Sequence, residues 1–248
     1  MRISFVLSAA AGFSTLIGAL FAVIKREPPK ELLSSALGFS AGVMTAMSLT
    51  DLLPHAISTL SIEMPGAAGA IACLCAFAAG ILAARLLDLM VAESGGRENR
   101  LMRVGIFSML ALMLHNIPEG IAVYLSAEQD IVLGAHLCAA IALHNIPEGI
   151  AVAMPICAAT KSRFAALAMA AVSGAAEPLG AVLAQSLIGE RASERELALI
   201  FAAIAGLMTA TAFYELLPEA FSGKCEKTAS SGALLGAFIM VWGCLMAA

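Results

Sequence analysis

A ten-residue stretch that occurs twice constrains this chain more than any other feature. Residues 114–123 and residues 143–152 both read Leu-His-Asn-Ile-Pro-Glu-Gly-Ile-Ala-Val. Each copy lies inside an apolar segment, Val104 to Leu125 for the first and Ile131 to Ala153 for the second. Strongly polar side chains inside such segments are costly unless they are paired or bind a ligand. The repeated His, Asn and Glu residues are therefore candidates for function.

The spacing within each copy predicts a metal site. On a helix the positions i and i+4 lie on one face, so His115 stacks over Glu119 and His144 over Glu148. Consecutive membrane helices joined by a short loop run antiparallel, which lets the two copies approach each other from opposite directions. Two imidazoles and two carboxylates around one point predict a divalent-cation site.

A proline accompanies each pair. Pro118 and Pro147 cannot donate a backbone hydrogen bond, so each releases the carbonyl four residues earlier. In this chain those carbonyls belong to Leu114 and Leu143. We expect both helices to bend beside the His and Glu residues.

Composition indicates an all-α integral membrane protein. Apolar residues make up 60% of the 248 residues, charged residues make up 13%, and the mean hydropathy is +0.92. A membrane-spanning helix needs about 20 apolar residues. Eight segments meet this requirement, at roughly 3–24, 32–53, 67–90, 103–125, 131–153, 164–187, 197–218 and 231–247. We interpret residues 1–248 as a single transmembrane domain with helices 1–3 at about 3–90, helices 4–5 at about 103–153 and helices 6–8 at about 164–247.

The positive charges predict the orientation in a cell membrane. Cytoplasmic loops carry an excess of Lys and Arg. An external amino terminus leaves Arg2, Arg191 and Arg195 outside and places eleven positive residues inside, namely Lys25, Arg26, Lys30, Arg85, Arg97, Arg100, Arg103, Lys161, Arg163, Lys224 and Lys227. We therefore expect a multi-pass protein with both termini outside.

A second repeat relates the first three helices to the last three. Residues 41–56 and 205–220 share nine of sixteen aligned positions at an offset of 164 residues. Gly12 and Gly18 align similarly with Gly174 and Gly180. Two triplets separated by a central pair of helices predict a 3+2+3 inverted repeat.

The repeat also places polar residues near both membrane surfaces. Asp51 and His55 are predicted at the outer end of helix two, and Glu215 and Glu219 at the inner end of helix seven. These four are candidate path residues, although interfacial capping explains Asp51 and Glu215 almost as well. His136, near the outer end of helix five, is either an interfacial histidine or a metal relay.

Unpaired carboxylates within apolar segments indicate a cation. Five carboxylates lie within or at the ends of apolar segments, namely Asp51, Glu119, Glu148, Glu177 and Glu215. No Lys or Arg lies well inside a span to neutralise them. The polar stretch from Glu93 to Arg103 is interpreted as a short cytoplasmic linker.

Together these motifs resemble the ZIP family of divalent metal transporters, particularly its bacterial zinc-uptake branch of ZupT-like and GufA-like members. The resemblance implies a binuclear centre bridged by the two central glutamates, with two overlapping sets of ligands. They are His115, Glu119, His144 and Glu148 for one cation, and Asn116, Glu119, Asn145, Glu148 and Glu177 for the other. It also implies import of Zn²⁺, and of Fe²⁺, Mn²⁺, Co²⁺ or Cd²⁺, into the cytoplasm by an elevator-like movement of one helix bundle against another.

The expected partners are divalent metal ions as substrates and the lipid bilayer, with no nucleic acid and no organic cofactor. A homodimer is left open. The alternative function is a membrane-embedded metalloenzyme using the same His and Glu residues, but the sequence contains no His-Glu-x-x-His motif. A proton or sodium carrier is a further rival, and it would need no paired histidines.

Overall fold

The computed structural model describes residues 3–25, 27–91, 97–188, 193–222 and 225–247. Helices joined by short turns make up these residues, and no strand occurs among them. Eight helices are long and apolar enough to cross a membrane, as the sequence predicts. They are α1 (Ile3–Ala22), α2 (Lys30–Glu63), α3 (Ala67–Met90), α4 (Arg97–Gln129), α5 (Ile131–Thr160), α6 (Arg163–Ser186), α7 (Glu194–Phe221) and α8 (Glu226–Ala247).

Several predicted helix ends are wrong, and those of α2 and α4 matter most for the candidate residues. α2 continues ten residues past the expected end, to Glu63, so Asp51 and His55 lie within the helix. α4 begins at Arg97, so residues 97–103 are helical and do not form a linker, while residues 92–96 lie outside the described part of the chain. Helices α4 and α7 extend beyond their apolar segments because polar residues with good helix propensity continue them.

Two π-helical segments occur at equivalent positions of the second repeat. Ser48–Leu52 in α2 and Ala212–Leu216 in α7 are separated by the same 164 residues as the sequence repeat. Each segment ends at the first leucine of a Leu-Leu-Pro sequence. The missing proline N–H removes an ordinary helical hydrogen bond there and allows the turn to widen. The segments contain Asp51 and Glu215.

The eight helices pack as two groups of four. Helices α1, α4, α5 and α6 contact one another, and helices α2, α3, α7 and α8 form the other group. We call these the motif bundle and the outer-repeat bundle, because the first contains both copies of the ten-residue motif. The main contacts between the groups are those of α2 with α5 and of α4 with α7 and α3.

Glycine permits the closest crossings in both bundles. A Cβ at Gly42 would collide with the Ala233 carbonyl where α2 crosses α8, and one at Gly80 with the Ala203 carbonyl where α3 crosses α7. Small residues at such positions allow the backbones of membrane helices to approach closely. Of the charges that determine the predicted orientation, Arg2, Arg26, Arg191 and Lys224 lie outside the described residues.

Candidate metal centre

The doubled motif lies at the contact between α4 and α5. Both helices are continuous through Pro118 and Pro147, so neither proline breaks its helix. The repeated His, Asn and Glu residues are buried, as is Glu177 on α6. All seven predicted ligands therefore lie in the interior of the motif bundle, at His115, Asn116, Glu119, His144, Asn145, Glu148 and Glu177.

Glu119 is the centre of the first group of ligands. Its Oε1 atom lies 2.9 Å from the Nε2 atom of His115 and 3.0 Å from that of His144. One ligand atom from each of these three residues lies within 4.8 Å of the others. Glu148 joins them, with its Oε1 atom 3.6 Å from His115 Nε2. His115 and Glu119 pair within α4 as the i, i+4 spacing predicts, and His144 reaches the same Glu119 oxygen from α5.

A second group of ligands surrounds the two asparagines. The Asn116 side-chain amide donates to the Ser173 carbonyl on α6 at 3.1 Å, and the Asn145 amide donates to the Ala11 carbonyl on α1 at 3.0 Å. Asn145 also donates to Glu177 Oε1. These hydrogen bonds use the nitrogen of each side-chain amide, so the amide oxygen is available to a different group.

Several buried oxygen atoms of the centre have no hydrogen-bond donor. They are the Oδ1 atoms of Asn116 and Asn145, both carboxylate oxygens of Glu148, and one oxygen each of Glu119 and Glu177. A buried acceptor without a partner destabilises a protein by about 1–3 kcal/mol. A divalent cation satisfies such oxygens directly, and together with the imidazole nitrogens they suit Zn²⁺, Fe²⁺, Mn²⁺ and Co²⁺. The residues present thus fit a divalent cation as cargo.

The candidate path residues do not join this centre. Asp51, His55 and His136 are exposed on the surface of the helices. The His55 ring packs edge-on against Phe201, with the ring centroids 5.6 Å apart. Glu215 and Glu219 are buried.

The prediction that no positive residue neutralises these acids is wrong at the Glu215 end. The Nη1 atom of Arg103 on α4 lies 3.2 Å from Glu215 Oε1 on α7 and 2.5 Å from Asp88 Oδ1 on α3. The Nε atom of Arg100 lies 2.7 Å from Glu219 Oε2. Both arginines lie in the stretch from Glu93 to Arg103 that is predicted to be a linker. They lie about four and three turns before the motif on α4, which becomes visible only once the helix begins at Arg97. These ion pairs connect the motif bundle to the outer-repeat bundle.

Sequence reasoning also missed Ser40 on α2. Its hydroxyl donates to the Pro147 carbonyl at 2.7 Å, between His144 and Glu148. This hydrogen bond connects the outer-repeat bundle to the motif itself. A serine within an apolar helix carries no signal that distinguishes it from a packing residue.

Fold and centre together define a multi-pass cell membrane protein whose interior holds a buried cluster of metal-ligand side chains. A family model described as ZIP zinc transporter matches residues 93–243. The zinc transporter ZupT of Chlorobium limicola is 39% identical over 257 residues, covering 98% of this chain and 97% of the relative. ZupT of Corynebacterium glutamicum is 37% identical, covering 99% of each chain, and ZupT of Streptococcus mutans is 36% identical, covering 98% and 97%.

The chain belongs to the ZIP family, in its ZupT-like branch. It is a transporter of divalent metal and not an enzyme, which excludes the metalloenzyme alternative. The family resemblance read from the doubled motif is thereby confirmed over nearly the whole chain.

Proposed function

We propose that this protein imports Zn²⁺ into the cytoplasm and that the ion binds between His115, Glu119, His144 and Glu148 during transport. The observation that carries the proposal is the position of Glu119, because one of its two carboxylate oxygens, Oε1, lies within 3.0 Å of the Nε2 atoms of both His115 and His144. Imidazole and carboxylate are the ligands that zinc takes from proteins when thiolates are absent. The relatives at 36–39% identity are named as zinc transporters, which supports zinc as the principal cargo.

We further propose that the centre is binuclear. The second cation would bind the oxygens of Asn116, Asn145 and Glu177, with Glu119 and Glu148 shared between the two ions. The unpartnered asparagine and glutamate oxygens support this, because one ion at the histidines cannot satisfy all of them. Fe²⁺, Mn²⁺ and Co²⁺ follow as further substrates, since the donor set suits first-row divalent metals generally, and Cd²⁺ is included because it belongs to the same group of the periodic table as Zn²⁺.

Transport proceeds, in this proposal, by alternating access between the two bundles. The ligands of the centre all belong to the motif bundle, so that bundle can carry the ion as a unit. An inverted repeat with both termini outside gives the two faces similar architecture and so allows two similar end states. The ion pairs of Arg100 and Arg103 must break whenever the bundles separate at that end.

Uptake of ⁶⁵Zn into proteoliposomes tests the proposal. The parent chain should accumulate zinc, and a variant with His144→Ala and Glu148→Ala should not. Glu226→Ala is the control, because it removes an exposed carboxylate at the start of α8, outside the motif bundle. Equal uptake by the parent and the double variant would refute transport through this centre.

A further inference from the structure

The two asparagines of the motif are held by equivalent backbone positions. Asn116 donates to the carbonyl of Ser173, and Asn145 donates to the carbonyl of Ala11. Ser173 and Ala11 are 162 residues apart, the offset that also relates Gly12 to Gly174. The contacts of α4 with α6 therefore correspond, residue by residue, to those of α5 with α1.

The motif glycines extend this correspondence. A Cβ at Gly120 would meet the Glu177 carbonyl, and a Cβ at Gly149 would meet the Thr15 carbonyl. Glu177 and Thr15 are again 162 residues apart. A third pair of contacts follows the same correspondence. A Cβ at Gly180 would meet the Ile117 carbonyl, and a Cβ at Gly18 would meet the Ile146 carbonyl. Thr15 on α1 thus occupies the position that Glu177 occupies on α6.

The Thr15 hydroxyl has no partner although the residue is completely buried. A helical threonine usually donates to the carbonyl four residues earlier, and the buried Thr211 does so with Leu207 at 2.9 Å. For Thr15 that carbonyl belongs to Ala11, which already accepts from Ser14 Oγ at 2.6 Å and from Asn145 at 3.0 Å. The hydroxyl oxygen is left without a hydrogen-bond partner. The Thr15 β carbon lies 3.5 Å from where a Cβ at Gly174 would be, just as the Glu177 β carbon lies beside the equivalent position at Gly12, so the two side chains leave their helices at equivalent places.

Building on the proposed function, we propose that Thr15 is a further ligand of the second cation and faces it from the side opposite Glu177. Glu177 presents a carboxylate to the position of the second cation from α6, and Thr15 presents a neutral hydroxyl to the same position from α1. The second position then has only oxygen ligands and one carboxylate fewer than a fully symmetric site. Oxygen ligands suit harder cations and imidazole suits Zn²⁺, so this position accepts Mn²⁺ more readily than the histidine position does, while the first Zn²⁺ binds at the histidines.

Equilibrium dialysis of the purified full chain against Zn²⁺ and Mn²⁺ tests this ligand. Thr15→Val removes the hydroxyl and keeps the shape, so Mn²⁺ affinity should fall by at least about tenfold while Zn²⁺ binding stays unchanged. Thr15→Ser keeps the oxygen and should retain Mn²⁺. Thr211→Val is the matched control, because its hydroxyl is satisfied within α7. Unchanged Mn²⁺ affinity in Thr15→Val would overturn the inference, and so would equal losses in Thr15→Ser.

A gain of signal gives a second test that does not depend on weakened binding. Thr15→Cys places a thiolate where the hydroxyl lies, and thiolates prefer Cd²⁺. Cadmium titration should then produce an additional sulfur-to-metal charge-transfer band beyond any that the six native free cysteines give in the parent, and no additional band would overturn the inference. If zinc uptake still depends on His144 and Glu148 in that case, only the role of Thr15 fails. If uptake is independent of them, the proposed function fails.

Discussion

Replacing Arg103 by glutamine should destabilise the protein far more than replacing the neighbouring Arg85. Arg103 is 17% exposed and pairs with the Glu215 carboxylate, which is 2% exposed. Its removal leaves that carboxylate buried without its ion-pair partner, and breaking a buried pair in this way costs about 3 kcal/mol. At about 2–4 °C per kcal/mol for a chain of this size, the midpoint of thermal unfolding should fall by about 6–12 °C.

Arg85→Gln is the control for this measurement. Arg85 also contacts Asp88, at 3.3 Å, but it is 51% exposed and lies on the same helix as its partner. An exposed pair of this kind contributes about 0–1 kcal/mol. Thermal unfolding in detergent should therefore separate the two variants, and Glu215→Gln should restore part of the stability of the Arg103 variant. Equal midpoints for the two arginine variants would refute the reasoning.

Three further predictions concern packing and the centre. Gly149→Ala should destabilise the fold by about 1–3 kcal/mol, because its methyl group meets the Thr15 carbonyl, whereas Gly243→Ala meets nothing and should leave thermal unfolding unchanged. Ser40→Ala removes the hydrogen bond to the Pro147 carbonyl and should cost about 1 kcal/mol in the same assay; an unchanged midpoint would contradict that. Zinc uptake into vesicles should fall when the external pH is lowered from about 7.5 to about 5.5, because His and Glu ligands must lose protons to bind metal. Uptake that does not change over this interval would argue against the centre.

The sequence predicts the number of helices and the pairing of His115 with Glu119 because both depend on local patterns. Eight apolar segments of about 20 residues each are long enough to cross a membrane as helices. The i, i+4 spacing of His115 and Glu119 determines their shared helix face before any tertiary contact is known. The proximity of Glu119 to His144 required one tertiary assumption, that α4 and α5 are adjacent and antiparallel.

Other parts of the centre depend on information that side-chain types do not contain. The carbonyls of Ala11 and Ser173 hold the two asparagines, and any residue at those positions could supply a carbonyl. Arg103 was assigned to a linker because hydropathy detects the apolar part of a helix and not its polar extension. Its ion pair with Glu215 joins residues 112 positions apart, which only the packing of α4 against α7 reveals.

X-ray absorption at the zinc edge, on the purified full chain loaded with one equivalent of Zn²⁺, tests most directly whether the doubled motif holds the ion. The account predicts two imidazole nitrogens at about 2.0–2.1 Å with carboxylate oxygens and no sulfur. The imidazole signal should disappear when His115 and His144 are both replaced by alanine. A zinc–sulfur distance near 2.3 Å, or an imidazole signal that survives in the double variant, would contradict it.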